Sequence, residues 1–171
     1  MNDRLINQVQ IRDAAAILAT RKPKFIIGPR PGKKSVATLK SYNLTHCCTL
    51  LSKREQARSI EKICQTLDCH WIWLPLDGGR LDILRNVDLA GYVARLTDEV
   101  AKTTEDPCIY FHCSAGIHRT GFFVYVLLRL QGLSTEQART ALANLRAVTA
   151  EQVGPDRLAL ADEMIASLDA R

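Results

Sequence analysis

The sequence predicts a single α/β domain in which a central, mainly parallel sheet of about four to five strands is flanked by helices. Three observations carry that prediction. Short apolar runs of strand length, Phe25 to Ile27, Leu44 to Leu51, His70 to Leu76 and Cys108 to Phe111, are separated by longer stretches whose apolar residues recur every three or four positions. Strands that alternate with helices in short units build parallel sheets covered by helices. A chain of 171 residues, 47% hydrophobic and 24% charged, suits one core that buries about 70% of the unfolded surface.

Taken in order, Asn2 to Thr20 carries a helix at Ile11 to Ala19, which Arg21-Lys22-Pro23-Lys24 breaks. Residues 1–23 thus read as a partly helical N-terminal extension, and 24–171 as the main domain. Phe25 to Ile27 is a short strand, and Gly28-Pro29-Arg30-Pro31-Gly32 a rigid turn in which Arg30 is either a solvated charge or a charge at the rim of a site. Val36 and Leu39 predict a short helix over Ser35 to Tyr42. In the strand Leu44 to Leu51, the adjacent Cys47 and Cys48 point to opposite faces, with one of them in the core. Lys53 and Arg54 end that strand, either solvated or drawing in an anion. Glu55 to Leu67 is an amphipathic helix with Ile60, Ile63 and Leu67 on its inner stripe.

His70 to Leu76 follows as a strand, with Trp71 and Trp73 on one face. Leu89, Val93, Leu96 and Val100 mark a long helix capped by Asp88. Phe122 to Leu130 is apolar nearly all round, belongs at the centre of the helical layer and stops at Gly132. Ser134 and Gln137 form a capping box for a helix reaching about Val148, and Pro155 opens a last helix through Leu168.

Composition narrows the function. The net charge of +5 favours anionic partners, yet there is no run of five basic residues, which argues against nucleic-acid tails. Six cysteines without a signal peptide indicate a reducing, cytoplasmic setting. No apolar run approaches the roughly 18 residues of a membrane span. Cys64, Cys69 and His70 lack a second ligand pair at fitting spacing, so no metal or other cofactor is expected.

The stretch that carries chemistry is His112-Cys113-Ser114-Ala115-Gly116-Ile117-His118-Arg119-Thr120-Gly121, a turn between the run Cys108 to Phe111 and the apolar Phe122 to Leu130. Backbone N–H groups of such a strand-to-helix turn point inward, and the helix N-terminus adds about half a positive charge. Arg119 supplies a planar fork matched to two phosphate oxygens. Cys113, at the mouth of this nest, is expected to ionise readily and act as a nucleophile. Cysteine followed six positions later by arginine is weak alone, with about half an occurrence expected by chance in this composition. Cys48 and Arg54 repeat the spacing, but no glycine lies between them and Glu55 would repel a phosphate. The added histidine, glycine and hydroxyl around Cys113 bring chance to the order of one in ten thousand.

These residues resemble the signature His-Cys-x5-Arg-Ser/Thr of the Cys-dependent protein tyrosine phosphatase superfamily. The ten residues are one substitution, Gly to His118, from the loop of tyrosine-specific members, whereas the chain length is similar to that of small dual-specificity members. Arg146 followed by Gln152-Val-Gly-Pro-Asp resembles a dual-specificity pattern, and Phe25-Ile-Ile-Gly-Pro-Arg-Pro the opening strand of bacterial members. The resemblance implies a phosphatase-like fold over 24–171 and a metal-independent phosphatase working through a phosphocysteine. It implies that Cys113 attacks phosphorus while the backbone of Ser114, Ala115, Gly116, Ile117, His118 and Arg119, with the Arg119 guanidinium, holds the phosphoryl oxygens. Thr120 supports the thiolate and His112 holds the loop. It also implies a phosphorylated protein as partner, phosphotyrosine first. Cys47 or Cys48 would be the site of a reversible disulfide with Cys113, as in some members.

Dephosphorylation through cysteine also needs a carboxylic acid to protonate the leaving oxygen. The family places it on a mobile loop about thirty residues before the cysteine, here Asp77-Gly78-Gly79-Arg80-Leu81-Asp82. Asp77, 36 positions before Cys113 and followed by two glycines, resembles the family's Pro-x-Asp arrangement; Asp82, 31 before, has the better distance. The alternatives to a protein phosphatase are a lipid or RNA phosphatase of the same superfamily and a module that binds phosphate without turnover.

Overall fold

The computed structural model describes residues 3–169, with side chains from Gln10 onward. Four strands, β1 (Lys24–Ile27), β2 (His46–Thr49), β3 (His70–Trp73) and β4 (Cys108–His112), form one sheet in the order β1-β4-β2-β3, and every pairing is parallel. Among the described residues nine α-helices surround it: α1 (Asp3–Arg21), α2 (Val36–Lys40), α3 (Ser59–Leu67), α4 (Leu81–Arg85), α5 (Leu89–Lys102), α6 (His118–Leu130), α7 (Thr135–Leu145), α8 (Ala147–Gln152) and α9 (Pro155–Asp169). The α/β class with a parallel sheet of four strands is as the periodicities predict. No helix of the described residues is long and apolar enough to cross a membrane.

Because helices cover both faces, alternate strand residues enter two cores. Phe25, Ile27, Cys48, Ile72, Ile109 and Phe111 join the larger one, against α1, α5, α6, α7 and α9. Cys47, Cys108 and Tyr110 join the smaller one, with Leu39 of α2 and Ile60 and Cys64 of α3. Both Cys47 and Cys48 are therefore buried, at 1% and 0% exposure, where the sequence reading placed only one inside. Trp71 and Trp73 do share a face and stack with ring centroids 5.6 Å apart. The covered sheet sits at the centre, so β4 and α6, which follows it, are almost wholly buried.

Helix signals read from sequence hold where burial and caps agree. Asp88 accepts from Gly91 N at 3.0 Å to cap α5, and Leu89, Val93, Leu96 and Val100 are its buried stripe. Ser134 and Gln137 make the reciprocal capping box of α7. Ile11, Ala14 and Leu18 of α1 lie in the larger core, and α1 packs chiefly on α5. Several boundaries differ from expectation: the strand expected over Leu44 to Leu51 spans His46–Thr49, the helix expected over Ile11 to Ala19 spans Asp3–Arg21, and three more lie near the candidate site. The helix expected from Glu55 starts only at Ser59, after a 3-10 turn over Lys53–Glu55 and a left-handed Gln56 (φ 54°). The helix expected to reach Val148 breaks at Arg146, which is extended (φ −163°) and separates α7 from α8. The strand expected from His70 to Leu76 ends at Trp73.

Candidate active site

β4 ends at His112 and α6 begins at His118, so residues 113–117 wrap between a central strand and a helix N-terminus. The wrap is pinned from outside. Ser114 O accepts from Arg30 N at 2.9 Å, Ala115 O from Arg146 Nη1 at 2.9 Å, and Gly116 O from Thr149 Oγ1 at 2.7 Å and Arg146 Nη1 at 3.1 Å. In a trans peptide the N–H lies opposite the C=O. Three carbonyls held outward therefore turn the N–H groups of Ala115, Gly116 and Ile117 inward, the arrangement of an anion nest. Gly116 has φ +71°, and a Cβ there would fall 2.1 Å from Gly28 O, so the loop can close this tightly only with glycine at that position.

Cys113 is 3% exposed. Burial pushes its thiol up, but the Thr120 hydroxyl and backbone, the Arg119 charge and the Ile117 N–H outweigh it, and the net shift is downward. The Thr120 hydroxyl is buried without a hydrogen-bond partner, and its nearness to the sulfur is one of the causes that lower the Cys113 pKa. His112 is fully buried and bonded on both sides, Nδ1 to Cys113 O at 2.9 Å and Nε2 to Thr49 Oγ1 at 2.8 Å. Thr49 accepts in turn from Trp71 Nε1 at 2.8 Å. A carbonyl only accepts, so Nδ1 carries the proton, Nε2 accepts from Thr49, and the chain runs in one direction from Trp71 to the loop. Burial lowers the His112 pKa to about 4, so the ring is neutral near pH 7 and serves as a brace.

Arg119, 8% exposed, is fixed by Glu55. Its Nη1 donates to Glu55 Oε2 at 2.7 Å and its Nη2 to Oε1 at 2.9 Å, while Nη1 also donates to Leu76 O at 3.0 Å. The Arg119 hydrogen bonds hold the Glu55 carboxyl down to about 2, against 4.5 ordinarily. Glu55 is itself held: its carboxylate caps Ser52 N at 2.8 Å, and Arg30 donates to Glu55 O, to Gln56 O at 3.1 Å and to Ser59 Oγ at 2.8 Å. Glu55 thus corrects the sequence reading that set it aside as a repulsive neighbour of a decoy. Arg30 is neither a solvated turn charge nor a free rim charge; it clamps the turn that carries Glu55.

The two aspartates of the 77–82 loop part company. Asp82 opens α4, is exposed and is bidentate to Arg80 at 3.0 and 2.8 Å, which lowers its pKa. Asp77 is exposed, forms no ion pair among the described residues, and directly follows Leu76, whose carbonyl is bonded to Arg119. His118, exposed on the first turn of α6, lies against the same loop: a Cβ on Gly79 would meet its Cβ at 2.7 Å.

Residues 30–144 match the model of the tyrosine phosphatase family. The chain belongs to that family. A search of curated protein sequences finds no match. Among solved structures, PTPMT1 is 22% identical with a TM-score of 0.65, covering 86% of this chain and 93% of that one, and a second PTPMT1 structure is in complex with PI(5)P. The kinase-associated phosphatase KAP, with its catalytic-site cysteine replaced by serine, is 20% identical with a TM-score of 0.62, covering 83% and 80%. The catalytic core of the PP-IP phosphatase SIW14 from S. cerevisiae, in complex with citrate, is 16% identical with a TM-score of 0.57, covering 83% and 85%. At these identities the likeness is one of fold.

In this tyrosine phosphatase family member the two expected disulfide partners of Cys113 lie on opposite faces of the sheet. Cys47 sits on the opposite face of the sheet. Cys48 shares the larger core with Cys113 and pairs in the sheet with Phe111, two residues before it. Burial also pushes the Cys48 thiol up. Glu55, Thr49 and Arg157, whose Nε donates to Gly79 O at 2.6 Å, escaped the sequence reading because their partners are far off in the chain. A partial signal existed for Glu55, since Ser52 with Glu55 reads as a capping box.

Proposed function

We propose that this phosphatase hydrolyses phosphate monoesters of protein, phosphotyrosine first and phosphoserine or phosphothreonine second, through a phosphocysteine intermediate. The observation that carries the reading is the acidified thiol of Cys113 at the floor of the inward-facing amides, beside an arginine already oriented by Glu55. The Cys113 thiolate attacks phosphorus, forming the S–P bond as the bond to the substrate oxygen breaks. The amides of Ser114 to Arg119 and the Arg119 guanidinium stabilise the charge on the equatorial oxygens. Asp77 gives its proton to the leaving oxygen, then takes one from the water that attacks the phosphocysteine. Thr120 stabilises the departing thiolate. No step calls on a metal, and a catalytic thiolate suits the reducing cytoplasm, where we place the protein.

A second reading, a phosphatase for more highly phosphorylated lipid or inositol substrates, is favoured by one feature. A cleft of about 420 Å³ beside the loop is lined by Arg30, Lys34 and Arg146 with no acidic residue. Hydrolysis of an aryl phosphate in EDTA by wild type and its absence in Cys113→Ser is the expected result; a requirement for a divalent metal refutes the mechanism. A panel of phosphotyrosine peptide, phosphothreonine peptide and phosphoinositide then decides the class by kcat/KM, with phosphotyrosine peptide expected to lead.

A further inference from the structure

The segment carrying Asp77 is tied down by three side chains from three helices. Tyr92 Oη of α5 donates to Pro75 O, Arg119 Nη1 of α6 to Leu76 O at 3.0 Å, and Arg157 Nε of α9 to Gly79 O at 2.6 Å. Two of the ties lie before Asp77. Among the described residues Arg157 supplies the side-chain hydrogen bond to the segment after it, where His118 also packs on Gly79, ahead of the turn in which Ile83 and Leu84 bond back to Arg80 O. Between the ties stands Gly78 at φ +143°, a conformation that residues with a Cβ rarely adopt.

The Arg157 guanidinium is also tied through Val153 toward the helix that carries the phosphate-binding arginine. Its Nη1 donates to Val153 O at 3.0 Å, and the side chain of Val153 sits on Gly121, where a Cβ would lie 2.7 Å from it. The same C-terminal segment supplies Arg146 and Thr149 to the loop carbonyls. One stretch, residues 146–157, therefore braces both the nest and the far end of the 77–82 loop, and sets the distance between them.

We infer that Arg157 is a positioning residue that holds Asp77 in register over the Cys113 loop, keeping the proton donor in place before substrate binds. The inference rests on the reading of Asp77 as the acid. A carboxyl displaced by about 1 Å loses on the order of tenfold to a hundredfold in rate, and the loss falls on proton transfer alone. Substrates whose leaving group needs no proton are then spared.

The test is steady-state kinetics of wild type, Arg157→Met, Arg157→Lys and Asp77→Asn on aryl phosphates of graded leaving-group pKa. Vanadate binding gives an independent measure of the nest, and thermal unfolding a measure of folding. Arg157→Met is expected to lose about tenfold to a hundredfold in kcat on phosphotyrosine, to depend more steeply on leaving-group pKa, to lose part of the basic limb of its pH profile, and to bind vanadate within about twofold of wild type. Arg157→Lys, which keeps the charge and one donor, is expected to recover part of the loss. Equal losses on all leaving groups, or losses that track vanadate affinity, overturn the inference and make Arg157 a general brace. If Asp77→Asn shows the steepened dependence and folded Arg157→Met and Arg157→Lys do not, the tether fails while the acid stands; if Asp77→Asn does not show it, both fail. Should Arg157→Met not fold, Arg157→Lys and Arg157→Gln decide on the same criteria.

Discussion

Glu55 grips both terminal nitrogens of Arg119, at 2.7 and 2.9 Å, across 64 positions of sequence. The pair is asymmetric in solvent: the Arg119 side chain is 9% exposed and that of Glu55 32%. Glu55→Gln keeps the shape but removes the charge that balances a buried guanidinium. Its cost in stability is expected to be about 1–3 kcal/mol, below that of a fully buried pair because one partner meets water. With Arg119 held less firmly, kcat/KM is expected to fall about tenfold to a hundredfold.

The same pair has a pH signature. The Glu55 carboxyl is depressed in the fold to about 2 from an ordinary 4.5, through the Arg119 hydrogen bonds first. A depressed acid stabilises the fold above the unfolded pKa, and that stability is lost as pH falls through the folded one. Acid unfolding of wild type should thus steepen between pH 4.5 and 2, and Glu55→Gln should lack that component; denaturant midpoints at a series of pH values measure it.

Thr120 offers a cleaner probe of the nucleophile. Its hydroxyl is fully buried without a hydrogen-bond partner, and it helps to bring the Cys113 thiol down. Thr120→Val is nearly isosteric and should raise the midpoint of the iodoacetate-alkylation profile by about one unit or more, with slower breakdown of the phosphocysteine and a larger burst. An unchanged midpoint would show that the hydroxyl does not reach the thiolate.

How much of this was legible beforehand follows from the range of the interactions. The strands, the Asp88 and Ser134 caps and the buried stripe of α5 are set by neighbours within a few residues, and sequence periodicity shows them. The strand-to-helix turn of the proposed nest was legible because Cys113 to Arg119 is one continuous segment. Glu55 to Arg58 was misread as helix because its charged, amphipathic pattern fits one, while the Ser52 cap, the left-handed Gln56 and the clamp from Arg30 override it. Arg146 breaks α7 because its guanidinium is committed to Ala115 O and Gly116 O, a contact 31 residues away for which no local propensity speaks.

Gly116 tests the tightness of the loop. A methyl group there would lie 2.1 Å from Gly28 O and 2.9 Å from Arg146 Nη1, on a residue at φ +71°. Gly28 cannot easily retreat, since its N–H is bonded to Phe111 O at 3.2 Å. Gly116→Ala should cost about 1–3 kcal/mol from backbone strain alone and, by rotating the amides, about a hundredfold in activity. Calorimetry and vanadate binding report the two effects separately.

The choice between the two aspartates rests on who already owns the carboxyl. Asp82 is bonded through both oxygens to Arg80, which lowers its pKa and favours the ionised form, the wrong state for a group that must donate a proton. Asp77 has no such partner among the described residues and follows the carbonyl that Arg119 holds. Turnover on phosphotyrosine should be bell-shaped in pH, with the ionising thiol on the rising limb and the acid on the falling one. Asp77→Asn should lose about 10² to 10⁴ in kcat and flatten the falling limb, with far less loss on an activated aryl phosphate. Asp82→Asn should leave that limb in place, since an exposed pair with Arg80 contributes little. A falling limb that disappears in Asp82→Asn and survives in Asp77→Asn would reverse the assignment, and would mean that the Arg80 pair opens when substrate arrives.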